Sequence, residues 1–144
     1  FNFRPNIKGH QGNYRFYVWM DDRRHLDNSN LGIVSAAYED AYADEMQKGW
    51  GISFDQEVID GITAFIRYSQ TDDDLASWNE DDNQWEMLSF DRVWSCGTQI
   101  NGQYWSRSDD AIGIAYGQVL LTDDYKSAND HTGKEQYIET YYRF

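Results

Sequence analysis

The side chains best suited to chemistry in this sequence recur at every second position. Arg15 and Trp19 lie in NYRFYVWMDD (13–22), and Asp55 and Glu57 in GISFDQEVI (51–59). Phe65 and Arg67 lie in ITAFIRYSQ (62–70), Asp91 in the run over 86–105, and Glu139, Tyr141 and Arg143 in EQYIETYYRF (135–144). Alternate residues of a strand share a face, so each run would present these groups on one surface. Sugars are held by aromatic faces stacked on C–H patches and by charged groups that hydrogen-bond hydroxyls. Opposed charges on one face would also discriminate a solute by its polarity. Any one of these groups could instead brace the wall through a cross-strand ion pair, as Asp55 and Arg67 would.

Other clusters carry less. In WSRSDD (105–110), Arg107 with Asp109 and Asp110 is expected to brace a tight turn through side-chain-to-backbone hydrogen bonds rather than to catalyse. Asp72-Asp73-Asp74 and Glu80-Asp81-Asp82 offer oxygen ligands for calcium but lack the spacing of an EF-hand loop, so they read as solvated loops. His10, His25 and His131 show no metal-ligand spacing, and no metal or cofactor is expected. Neither a phosphate-binding glycine loop nor a nucleophile elbow is present. Acids beside aromatics are weak grounds for a glycosidase, whose mechanism depends on a carboxylate separation that a sequence does not give.

Period-two runs predict the elements that must position these groups: 13–22, a hairpin over 48–70, 86–105, 111–121 and 135–144. Tyr14, Phe16, Val18 and Met20 share one parity of the first run; Ile138, Tyr142 and Phe144 share one of the last. Arg92 and Gln118 fall on the apolar parity of their strands, which predicts a bulge or a shifted register there. In the hairpin, a three-residue loop Ile59-Asp60-Gly61 with Gly61 left-handed pairs Val58 with Ile62, Phe54 with Ile66 and Ile52 with Tyr68. That register puts every apolar residue on one face. Residues 33–47 fit either a short helix or a further strand. The connections at 23–47, 59–61, 71–85, 106–110 and 122–134 alternate long and short. Transmembrane β-barrels have this asymmetry, whereas the loops of a soluble sandwich need not sort by end.

Composition narrows the field. A chain of 144 residues is long enough for one domain with a sizeable core. Its net charge of −13 argues against nucleic acid and against docking on an anionic membrane face. Tyr (11) and Trp (6) outnumber Phe (7), as suits rings with one dry and one wet end. No stretch approaches the roughly 20 apolar residues of a transmembrane helix. One cysteine, Cys96, allows no internal disulfide. The first residue is not Met, and the chain reads as a mature or trimmed product.

Four stretches in order resemble the OprB-type carbohydrate-selective porins of bacterial outer membranes: GNYRFYVWMDD (12–22), GWGISFDQEVIDGITAFIRYSQ (49–70), NGQYWSRSDDAIGIAYG (101–117) and GKEQYIETYYRF (133–144). WSRSDDAIGIA, followed by a Glu-rich strand ending in Tyr-Tyr, is the most specific part. The resemblance implies an all-β, antiparallel transmembrane barrel of about sixteen strands, commonly trimeric, that passes sugars down a gradient. Six readable strands are too few to close a barrel, so residues 1–144 are expected to be a single segment from its C-terminal part, or one of several chains building one barrel. Phe144, with Tyr142 two before it, also resembles the aromatic-ended last strand that barrel assembly recognises. A break that fell at an aromatic would look the same.

The leading expectation is thus an outer-membrane porin for carbohydrates or other small polar solutes, not an enzyme, with lipid and lipopolysaccharide outside and a trimer as assembly. Its lumen would be lined by Arg15, Trp19, Asp55, Glu57, Phe65, Arg67, Asp91, Glu139, Tyr141 and Arg143. The alternative is a soluble acidic β-sandwich, a lectin-like carbohydrate-binding module. A fragment of a β-rich glycoside hydrolase is a distant third.

Overall fold

A repeat of two apolar and polar positions cannot give a helix one consistent face, but it gives a sheet two unlike faces. The computed structural model has this form and describes residues 1–23, 25–31, 45–72, 74–79, 81, 84–130 and 134–144. In chain order the elements are β1 (Asn2–Phe3), β2 (Asn6–Ile7), β3 (His10–Asp21), β4 (His25–Asp27), β5 (Gln47–Ile59), β6 (Ile62–Thr71), β7 (Leu75–Asn79), β8 (Gln84–Met87), β9 (Phe90–Asn101), β10 (Ala111–Leu121), a helix α1 (Asp123–Asn129) and β11 (Glu135–Arg143). One antiparallel sheet runs β1-β3-β5-β6-β9-β10-β11, with β2 also on β3. A second sheet, β4-β7-β8, is built wholly from the long connections.

The expected strands form, with differences at their ends. β3 begins at His10, and the run over 86–105 divides into β8, β9 and a 3-10 turn at Gly102–Trp105. The short strands before β3 were not expected. They fold back through Lys8 (φ 54°) and Gly9 (φ 95°), a two-residue turn that requires positive φ. Pro5, which lacks an N–H, separates β1 from β2. Most of the ambiguous stretch 33–47 lies outside the described residues; its last residue, Gln47, opens β5.

The hairpin register pairs Phe54 with Ile66 and Ile52 with Tyr68 as expected, which sets Ser53 opposite Arg67, and Gly61 sits at φ 74°. Its closing pair differs: Ile59 faces Ile62, and an irregularity between Glu57 and Ile59 absorbs Val58. A register shift also lies beside Arg92, between Leu120 and Leu121, whereas Gln118 pairs regularly with Trp94. Gln118 is accommodated by chemistry instead. Its amide donates to the Tyr116 hydroxyl (2.6 Å), which donates to Gln136 (2.8 Å).

The buried hydrophobic residues explain what the main sheet lacks. Leu26, Leu75, Ala76 and Leu121 lie under the long connections, and Ala111 at the opposite end. The apolar face stays bare over the sheet, with Phe16 46%, Val18 62%, Ile66 50% and Ile138 73% exposed. Soluble proteins rarely leave a patch of this kind open.

Candidate functional site

Register arranges the polar face in rows. One runs Asn13–Asp55–Phe65–Gly97–Ala115–Glu139, and the next Arg15–Ser53–Arg67–Ser95–Gly117–Tyr137. Asp55 therefore stands between two arginines, 3.1 Å from Arg15 Nη2 and 3.5 Å from Arg67 Nη2. Arg67 also places its guanidinium carbon 4.6 Å from the centre of the Phe65 ring. With Arg15 48% and Arg67 54% exposed, each ion pair contributes less than about 1 kcal/mol. An exposed cation–π contact adds about 0.5–1 kcal/mol. Such weak pairing orients the guanidinium groups while leaving N–H donors for a passing hydroxyl or carboxylate.

A recess of about 250 Å³ opens here, lined by Asp55, Phe65, Arg67, Tyr137, Glu139 and Tyr141 among others. Pockets that enclose a drug-sized ligand run to about 300–1,000 Å³, so this one suits brief contact with a small solute. Five rings on this face each lie over a glycine directly opposite: Trp19 over Gly49, Tyr17 over Gly51, Phe65 over Gly97, Tyr141 over Gly113 and Tyr137 over Gly117. A Cβ at any of these glycines would collide with its ring. The missing side chain lets the ring lie against the wall with its other face turned outward. Tyr141 is further fixed by donating to Gln99 Oε1 (2.6 Å).

The structure thus gathers Arg15, Asp55, Phe65, Arg67, Glu139 and Tyr141. Trp19 stands at the long-connection end, over Gly49. Glu57 and Arg143 stand at the short-turn end, where Glu57 accepts from the Gly61 amide (2.9 Å) and Arg143 is opposite Ala111. Asp91 is 4% exposed beneath the long connections and ion-paired with Arg92 Nε at 2.7 Å. Tyr137, Gln99 and Tyr17 also face this side and were not anticipated. Parity could have found Tyr137, two residues before Glu139.

The WSRSDD segment is a brace, by contacts stronger than those expected. Arg107 Nε is 2.7 Å from the carboxylate of Asp110, which is 5% exposed and also accepts from the Tyr142 hydroxyl. The Arg107 amide donates to Gly102 O (2.9 Å), and the Gly102 amide to Asp110 O (2.8 Å). His25 is buried at 2% in the second sheet. His131, Asp73, Glu80 and Asp82 lie outside the described residues.

The carbohydrate-selective porin family, OprB, matches residues 2–144. The chain belongs to this OprB porin family. The solved high-pH structure of Pseudomonas putida OprB is similar, with a TM-score of 0.71 and 19% identity over 98% of this chain and 37% of that one. The chain therefore spans a little over a third of that porin's length, and its sheet is an open part of the barrel fold. No curated protein matches significantly. As an OprB porin the chain is part of a bacterial outer-membrane β-barrel. On the apolar face, toward the long connections, the rings of Trp50 and Tyr68 pair at 5.3 Å and those of Trp94 and Tyr116 at 5.6 Å. Tyr and Trp collect where hydrocarbon meets water.

Proposed function

We propose that this chain forms part of the wall of a water-filled channel through which carbohydrates or other small polar solutes diffuse passively. Arg15, Asp55, Phe65, Arg67, Glu139 and Tyr141 would line it, with Trp19, Glu57 and Arg143 toward its mouths. The observation that carries this reading is the division of one sheet into two faces. One is an uncovered apolar band edged with Trp and Tyr. The other is polar, with half-paired arginines beside flattened aromatic rings. Solute crosses down its gradient and no bond is made or broken. Lipid and lipopolysaccharide cover the apolar face, and the native assembly is a trimer, as membership of the family suggests. A lectin-like sandwich would bury the face on which Ile66 and Ile138 are 50% and 73% exposed, so the channel reading is favoured.

Single-channel recording of the full-length porin tests it. Arg67→Ala and Glu139→Ala are expected to shift conductance and to weaken block by added sugar several-fold, with the folded barrel retained on gels. If neither conductance nor sugar block moves in either variant, these residues do not line the path.

A further inference from the structure

We infer that His10, Glu57 and Asp60 form a binding site for a zinc-class divalent cation at the short-turn end of the sheet. The spacing 10, 57, 60 has no meaning along the chain; the fold creates it. His10 opens β3 after the Lys8–Gly9 turn, Glu57 lies near the end of β5, and Asp60 is in the turn to β6. One imidazole nitrogen and one oxygen from each carboxylate all lie within 4.8 Å of one another.

The separations fit an ion better than a salt bridge. His10 Nδ1 is 3.8 Å from Glu57 Oε2 and 3.5 Å from Asp60 Oδ1, and it is buried without a hydrogen-bond partner. A charge-assisted hydrogen bond would close to about 2.7–2.9 Å. Two ligands on a tetrahedral zinc, each about 2.0–2.1 Å from the metal, stand about 3.4 Å apart.

One of the three ligands is held in advance, and the backbone of a second is fixed. Glu57 spends Oε1 on the Gly61 amide (2.9 Å), which leaves Oε2 toward His10. The turn carrying Asp60 is clamped: its backbone carbonyl accepts from Gln103 Nε2 and the Tyr104 hydroxyl, both at 2.7 Å. Outer contacts of this kind orient metal ligands. The Asp60 side chain, 89% exposed, is free to swing onto the ion, and water would complete the shell. A nitrogen with two carboxylate oxygens suits zinc, whereas calcium and magnesium take oxygen shells. The ion would staple the first hairpin to the β5–β6 turn, independently of what the channel carries.

The test is calorimetric titration of Zn²⁺ into the tag-free, full-length porin folded in detergent micelles, with His10→Ala and Glu57→Gln beside it. One saturable ion is expected in the unaltered protein, with affinity at least tenfold lower in both variants. The variants' heat-modifiable gel mobility should match the parent's, since both changes lie near strand ends, outside the middle of the sheet. Asp60→Asn should weaken binding less. Absence of saturable binding in the unaltered protein, or unchanged affinity in His10→Ala and Glu57→Gln, overturns the site.

Discussion

The glycines beneath the rings separate two kinds of cost. At Gly97 an added Cβ would meet the Ile114 backbone carbonyl as well as the Phe65 ring. Backbone cannot swing aside as a side chain can, so Gly97→Ala is expected to cost about 1–3 kcal/mol, read as a lower urea midpoint in vesicles. At Gly113 the three nearest obstructing atoms all belong to the Tyr141 ring, which can rotate at the loss of its bond to Gln99. Gly113→Ala should therefore change sugar block more than stability. If Gly113→Ala costs as much stability as Gly97→Ala, the Tyr141 ring is not the part that yields. Arg107→Ala supplies a third residue-scale prediction. It strips the 5%-exposed Asp110 of its cation. Breaking a fully buried pair costs about 3–5 kcal/mol, but Arg107 is 61% exposed and Tyr142 still donates to Asp110. The expected loss is about 2 kcal/mol in the same unfolding measurement.

At the scale of elements, legibility followed length and period. β10 could be read from AIGIAYGQVLL alone, because eleven residues with one bare apolar face leave a strong repeat of two. β4 and β7 could not, being three and five residues long and burying Leu26, Leu75 and Ala76 rather than lining a repeating face, and of β8 only Glu86 and Met87 fell within the expected run. α1 was also read as loop. It is only seven residues long and depends on its cap: Thr122, 1% exposed, accepts from the Tyr125 amide (3.1 Å) and donates to Leu88 O (2.9 Å). The candidate site divided in the same way. Asp55 with Arg67 followed from hairpin register, whereas the burial of Asp91 depended on connections whose packing the sequence did not reveal. Thr122→Ala removes both hydrogen bonds and should cost the helix and its seat about 1–2 kcal/mol. Proteolytic nicking within 122–134 should then quicken, while the barrel keeps its heat-resistant mobility. Acid should loosen the same region. Asp27 is held below the ordinary carboxylate range by the Ser29 hydroxyl and amide, and Asp123 by Lys126. Their contributions are complete above the unfolded value near 4 and fade as pH falls through the depressed ones. Amide protection factors at Leu26 and Ala76 should hold from pH 8 to 5 and fall below about pH 4.

At the scale of the molecule, the charge is sorted by end. The long connections carry −4 over 22–46, −7 over 72–89 and −1 over 122–134, nearly all of the net −13. Antiparallel order brings all three to one end of the sheet, so under the channel reading one mouth is strongly acidic while the wall displays Arg15 and Arg67. A neutral hexose has no net charge for this field to act on. A sugar acid of the same size must pass the mouth against it before meeting the arginines. Exposed charges act over about 30 Å at 0.01 M salt but only about 10 Å at 0.1 M. In liposomes carrying the full-length porin, hexose influx should be level across that range, and sugar-acid influx should rise several-fold with salt. Neutralising Asp72, Asp73 and Asp74 to Asn should remove much of that rise by speeding the low-salt rate. A sugar-acid rate that ignores both salt and the triple substitution would mean that these connections do not stand over the path of the solute.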